Sequence, residues 1–224
     1  MYKAIAVDVD GTITYREPVL HPEAVRYMIK LSRRIKVMLA TGNAFPVAYG
    51  LSGYLNAKGP LIAENGGVVY YRDSIHIMGD PELPKKALEY LRSKGVQFSE
   101  SISNKFRLVD RVIMTKNREE VERSISHMRV KLIDSGFALH VVPEGVDKGI
   151  GLLKACELLE ISPKDVISIG DSMTDFEMLK LSGYSIAMPN SPEKLKDIAD
   201  FVPPGRGYGP SFVLAIKFIE EKLL

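Results

Sequence analysis

The chain has 224 residues, 46% apolar and 26% charged, with 30 basic against 28 acidic side chains and a formal net charge of +2. That balance supplies no field for nucleic acid or for an anionic membrane surface, so any anion site has to be built locally. One cysteine rules out an intramolecular disulfide framework and a cysteine-rich metal centre, and the length suffices for one domain or two modest ones with a sizeable core.

The first stretch, Ala4-Ile-Ala-Val-Asp8-Val-Asp10-Gly11-Thr12, reads as a buried strand closed by a polar turn. Asp and Gly are common in turns for local backbone reasons alone, but two carboxylates at a strand's carboxyl end also suit Mg2+ and a phosphate. An EF-hand is excluded, because Ile13 and Val19 stand where its loop needs Gly and Glu. A helix opening at His21-Pro22-Glu23 follows, then a strand over Ile35–Ala40 that ends in Thr41-Gly42-Asn43. The next helix carries Phe45, Val47, Ala48, Leu51 and Leu55. Leu61–Ala63 is a third strand, leading through Glu64-Asn65-Gly66-Gly67 to Val68–Tyr71. This strand–helix alternation argues for a parallel sheet.

From residue 81 the texture changes. A helix capped at Asp80-Pro81-Glu82 runs to Lys94, a strand is expected over Arg107–Thr115, and a helix capped by Asn117 carries Val121, Ile125, Met128 and Leu132 as far as Gly136. Phe137–Val142 is expected as a strand. Residues 81–147 therefore read as an inserted smaller α/β domain, with 1–80 and 148–224 forming a discontinuous core. The core rhythm resumes with a helix from Lys148 to Glu160, the strand Val166–Ile169 ending in Gly170-Asp171-Ser172-Met173-Thr174-Asp175, a helix through Leu181, and the strand Tyr184–Ala187 before Asn190. A helix from Pro192 and an amphipathic terminal helix complete the chain.

In a parallel sheet the polar turns at Asp8/Asp10, Thr41, Lys148 and Asp171/Asp175 gather along one edge despite their separation in sequence. Three or four carboxylates can hold Mg2+, one can attack phosphorus, and a hydroxyl and an ammonium can neutralise the transferring phosphoryl group. Taken singly, Thr41-Gly42 would be a helix cap, Lys148 a surface lysine and Asp171/Asp175 a turn and a helix-face charge. Cys156 among Leu152, Leu153, Ala155 and Leu159 reads as packing, as does Tyr70-Tyr71. The four histidines lack metal-ligand spacing and read as surface or packing residues. Arg107 reads as a strand-edge surface arginine, with a substrate contact as the alternative.

The ordered set Asp8–Thr12, Met38–Gly42, Lys148 and Gly170–Asp175 resembles the haloacid dehalogenase superfamily of phosphohydrolases over nearly the whole chain, in the branch with a large α/β cap. The fold implied is a Rossmann-like parallel-sheet core with an inserted cap. The resemblance implies that Asp8 is the nucleophile and a metal ligand, and that Asp10 is the general acid/base and binds metal through its carbonyl. It implies phosphate binding by Thr41, Gly42 and Lys148, a metal pair in Asp171 and Asp175, and site-lining roles for Asn65 and Asn190. Two positions depart from the pattern: Asn43 stands where many relatives carry Arg, and Thr174 where Cof-type members have Asn. The implied activity is Mg2+-dependent hydrolysis of a small phosphorylated metabolite. The chain's compactness is most similar to archaeal phosphoglycolate phosphatases; a sugar-phosphate phosphatase or phosphosugar mutase is the alternative enzyme, and a phospho-accepting receiver-like module the non-enzymatic one. The absence of a leader or spanning segment gives a cytoplasmic protein as the expectation, monomeric or homodimeric, with no nucleic-acid or membrane partner.

Overall fold

The computed structural model describes residues 1–136 and 138–224. In chain order the elements are β1 (Ala4–Asp8), α1 (Pro22–Leu31), β2 (Lys36–Ala40), α2 (Phe45–Tyr54), β3 (Leu61–Ala63), β4 (Val68–Tyr71) and β5 (Ser74–Ile77). Then come α3 (Glu82–Ser93), β6 (Ser99–Glu100), β7 (Arg111–Met114), α4 (Arg118–Ile125), β8 (Val130–Asp134) and β9 (Leu139–Pro143). The chain closes with α5 (Lys148–Leu159), β10 (Val166–Gly170), α6 (Phe176–Leu181), β11 (Tyr184–Ala187), α7 (Glu193–Lys196) and α8 (Tyr208–Lys222).

A seven-stranded sheet in the order β11-β10-β1-β2-β3-β4-β5 forms the core. Its strands from β11 to β3 are parallel, and β4 and β5 add an antiparallel edge. Alternation along the strands divides the apolar residues between two faces. Ile5, Val7, Val37, Leu39, Ile167 and Ile169 pack with Met28 and Leu31 of α1 and with Phe212, Ile216 and Ile219 of α8. Ala4, Ala6, Met38, Ala40 and Val166 meet Leu152 and Cys156 of α5 and Met178 of α6 on the other face. The result is a three-layer α/β/α sandwich. Cys156 is 2% exposed, and burial pushes its thiol up to about 11, as befits a packing residue rather than a nucleophile.

The register places the strand ends side by side. Asp8 is level with Ala40 across β1 and β2, Val7 with Ile169 across β1 and β10, and Gly170 with Ala187 across β10 and β11. The first residues beyond β2 and β10, Thr41 and Asp171, therefore emerge beside Asp8.

The second sheet is antiparallel, in the order β6-β7-β9-β8. Ile113, Leu139 and Val141 face α3 and α4, burying Ala87, Leu91, Val121 and Ile125. The opposite face carries Val112, His140 and Ile133, which pair directly across β7, β9 and β8. It is turned toward the core, where His140 Nδ1 lies 3.1 Å from Asn65 Nδ2.

Several sequence expectations are corrected in this region. The helix expected from Asn117 to Gly136 stops at Ile125, and Val130–Asp134 is strand β8. Met128 and Leu132 match a helical stripe, but Val130 and Leu132 are two apart, so a strand also aims both at the α3/α4 cluster. Pairing with β9 along five residues decides for the strand. The strand expected over Arg107–Thr115 is confined to Arg111–Met114, because residues 107–110 are held to the core instead. The strand expected from Phe137 is Leu139–Pro143, and Phe137 itself lies outside the described residues. The short strands β5 and β6 had no expectation. β5 returns from β4 through Arg72 and Asp73, both at positive φ (47° and 62°), a hairpin turn that usually carries Asn-Gly. No helix among the described residues is long and apolar enough to cross a membrane.

Candidate active site

Asp8, the last residue of β1, is 4% exposed. Its Oδ1 accepts from Lys148 Nζ at 2.7 Å and its Oδ2 from Thr12 Oγ1 at 2.9 Å. Lys148 is the first residue of α5, held there because Asp147 caps the helix by accepting from Ile150 N at 3.0 Å. Lys148 also donates to Asp175 Oδ1 at 2.7 Å. The other oxygen of Asp175 accepts from the backbone N–H groups of Asp171 and Ser172, both at 3.1 Å, so this carboxylate organises the loop that presents Asp171. Asp171 Oδ2 accepts from Asn190 Nδ2 at 2.8 Å, and Asn190 also donates to Gly11 O at 3.1 Å. Gly11 is required at this point: its φ is +84°, and a Cβ there would lie 2.1 Å from Asp171 Oδ2.

Asp10 differs from Asp8 in being exposed. Its Oδ2 accepts from Asn43 Nδ2 at 2.8 Å, and the same amide reaches Thr41 Oγ1 at 3.0 Å. Asn43, notable in the sequence only as a departure, thus bridges the exposed carboxylate and the buried hydroxyl. A side chain on Gly42 would meet Asn65 Oδ1 at 2.9 Å, so Asn65 backs the turn of Thr41.

Asp8, Asp171 and Asp175 offer ligand oxygens that lie within 4.8 Å of one another. Burial, then the charge of Asp175 and Asp10, pushes the Asp8 carboxyl up to about 7 against the opposing pull of Lys148. Burial, then the charges of Asp8 and Asp175, pushes Asp171 up to about 9. Burial by itself would lower Lys148, but the Asp175 and Asp8 carboxylates outweigh it and hold the ammonium protonated. Two buried carboxylates and the half-buried one of Asp171, set around one ammonium, leave a deficit of positive charge, and the donors are all hard oxygens. The cluster can hold a metal ion, and its chemistry fits a hard divalent cation.

A second polar cluster lies behind Gly42; Asn65 and Arg107 in it carry an expectation from the sequence, whereas Glu64 and Asp110 carry none. Glu64, fully buried, accepts from Phe45 N at 3.2 Å, Leu108 N at 3.0 Å, Val109 N at 2.8 Å and Asp110 N at 3.3 Å. It pins residues 108–110 of the inserted segment to the core; burial, followed by the charge of Asp110, holds its carboxyl above the usual range. Asp110 accepts from Asn65 Nδ2 at 3.2 Å and lies 2.7 Å from His140 Nδ1. Burial would raise Asp110, but the hydrogen bond with His140 and the charge of Arg107 hold it below the ordinary value. Arg107 is correspondingly not a surface residue, at 9% exposed. The only available sequence signal was an acid placed directly after an apolar strand at the sheet's carboxyl edge, as Glu64 is. Glu64→Gln turns an amide NH2 toward backbone donors. It is expected to cost about 2–3 kcal/mol, read by urea unfolding, from buried N–H groups left without an acceptor; an unchanged unfolding midpoint would remove Glu64 from this role.

The chain matches the family model described as haloacid dehalogenase-like hydrolase over residues 5–134 and 99–205. It is 38% identical over 211 residues to a phosphoglycolate phosphatase of Methanopyrus kandleri, covering 90% of each chain. It is 36% identical to a phosphoglycolate phosphatase of Archaeoglobus fulgidus, covering 97% of this chain and 96% of that one. A crystal structure of a Thermoplasma acidophilum protein superposes with a TM-score of 0.89 at 27% identity, covering 98% of this chain and 99% of the other.

Proposed function

The chain belongs to the haloacid dehalogenase-like hydrolases, and from that membership we propose that it hydrolyses 2-phosphoglycolate to glycolate and phosphate through a phosphorylated Asp8. The supporting observation is the division of labour between two carboxylates two residues apart. Asp8 is buried against Lys148 and Thr12, whereas Asp10 is exposed and, among the described residues, tied only to Asn43.

An Asp8 carboxylate oxygen attacks phosphorus as the bond to the glycolate oxygen breaks, and Asp10 donates a proton to that departing oxygen. Asp10 then takes a proton from water, whose oxygen attacks the phosphoaspartate phosphorus. Phosphate leaves and the Asp8 carboxylate is restored. Lys148 and the Thr41 hydroxyl, with the Gly42 backbone, hold the phosphoryl oxygens, while Asn65 and Asn190 keep the turns of Gly42 and Asp171 in place. Asp8, the Asp10 carbonyl, Asp171 and Asp175 would hold Mg2+, which supplies the positive charge that keeps the nucleophile ionised beside an anionic phosphate. Residues 81–147 act as a cap domain over a core of 1–80 and 148–224, excluding water and contacting the leaving group.

The test is phosphate release from 2-phosphoglycolate measured beside a panel of sugar phosphates and ranked by kcat/KM. A sugar phosphate ranked first would replace the substrate, and isomerised sugar phosphate without phosphate release would make the enzyme a mutase. Asp10→Asn is expected to lower kcat by about 10²- to 10⁴-fold, the usual worth of general acid–base catalysis. Label from a 32P-phosphoryl donor should still reach Asp8 in that variant. Hydrolysis at the wild-type rate would place the proton donor elsewhere.

A further inference from the structure

We propose that Arg107 is the specificity-determining residue for an anionic leaving group, binding the carboxylate of a short phosphorylated acid; the inference rests on the phosphatase reading above. Arg107 belongs to the inserted segment, yet its Nη1 donates to Gly42 O at 2.9 Å. Gly42 lies between Thr41, assigned to the phosphoryl oxygens, and Asn43, which is bonded to the Asp10 carboxylate. The guanidinium therefore sits at the side of the site where the leaving oxygen is protonated.

The group is held as a recognition element should be. Nε donates to Ser103 Oγ at 3.1 Å and Nη1 to Asp110 Oδ1 at 2.5 Å. Asp110 is itself fixed by Asn65 and His140. With the side chain only 6% exposed, Nη2 is the one guanidinium nitrogen without a hydrogen-bond partner among the described residues. Its donors are free for a carboxylate, the partner that guanidinium geometry suits best.

A second guanidinium, that of Arg111, lies beside this group. Arg111, also 9% exposed, donates through Nη1 to the carbonyls of Arg107 and Asp110 at 3.2 and 2.6 Å. No carboxylate among the described residues forms an ion pair with it. Of the two, Arg107 alone meets the Asp110 carboxylate, whereas among the described residues Arg111 is met by backbone carbonyls and Glu64 is turned to backbone N–H groups. Since Gly42 follows Thr41 directly, few atoms separate a carboxylate on Nη2 from the phosphoryl group, which selects a short acid over a long one.

The experiment compares kcat/KM for 2-phosphoglycolate with that for 2-hydroxyethyl phosphate, a neutral ester of the same length, in wild type, Arg107→Gln and Arg107→Lys. The wild type should prefer the acid. Arg107→Gln should lower the acid-to-neutral ratio about 10- to 100-fold, the equivalent of one charge-assisted hydrogen bond, and Arg107→Lys should recover part of it as a point charge. A ratio unchanged in active Arg107→Gln, or equal loss on both esters, overturns this inference alone. Wild-type enzyme that hydrolyses neither ester overturns the substrate reading and this inference with it. Should Arg107→Gln not fold, product inhibition carries the test. Glycolate, but not ethylene glycol, should compete with 2-hydroxyethyl phosphate in wild type, and less effectively in Arg107→Lys. Equal inhibition by the two products, or by glycolate in the two proteins, overturns the proposal.

Discussion

Asp8→Asn is expected to lower kcat by about 10⁴-fold or more on every phosphomonoester, natural or activated, because it removes the atom that attacks phosphorus. The same variant should take up no label from a 32P-phosphoryl donor, in contrast to Asp10→Asn. The fold should survive: Asn keeps an oxygen at the position, and Lys148 retains its bond to Asp175 at 2.7 Å. The decisive measurement is labelling after rapid quench beside steady-state rates. Hydrolysis within about tenfold of wild type, a loss far too small for a missing nucleophile, would move the chemistry away from β1.

Removal of metal should have an effect of similar size. Excess chelator is expected to abolish turnover and Mg2+ to restore it, while Mg2+ raises the Tm through preferential binding to the folded state. Asp171→Asn should abolish both the activity and the Mg2+-dependent rise in Tm, yet raise the Tm of the metal-free protein. The sign follows from Asp171's carboxyl, pushed by burial and then by Asp8 and Asp175 from its ordinary 3.8 up to about 9. The folded chain then holds a proton that the unfolded chain releases, so this group's stabilising contribution is complete below about pH 4. It is lost progressively as pH rises toward 9 in the absence of metal. An amide carries no such penalty. Differential scanning at several pH values, with and without Mg2+, checks the point. A metal-free Tm lowered by Asp171→Asn would show that this carboxylate supports the fold instead.

The large effects expected for Asp8 and Asp171 coexist with a modest one for Glu64, and that contrast shows where the information lies. Asp8, Asp10, Lys148, Asp171 and Asp175 are legible because each follows a short apolar run or opens a helix, and a parallel sheet has one carboxyl edge on which such residues must meet. Thr12 and Asn43 lie inside the same turns, but their partners, the Asp8 and Asp10 carboxylates, are visible only in space. The residues of the inserted segment follow no such rule. Leu132 fits both a helical and a strand stripe, and only pairing of Val130–Asp134 with β9 separates the two. Arg107 sits in a polar stretch that local pattern assigns to the surface.

Periodicity and strand-end turns are local, and a parallel sheet forces their consequences, so the parallel core and the meeting of Asp8, Lys148, Asp171 and Asp175 at one edge were legible in the chain. Tertiary structure alone decided how the inserted segment is joined to that edge. Four backbone N–H groups, of Phe45, Leu108, Val109 and Asp110, find their acceptor in Glu64. Arg107 finds its acceptor in the carbonyl of Gly42, 65 residues away. Such bonds carry no periodic trace in the chain. They are fixed by the requirement that buried polar groups be satisfied, and that requirement acts only once the chain has folded.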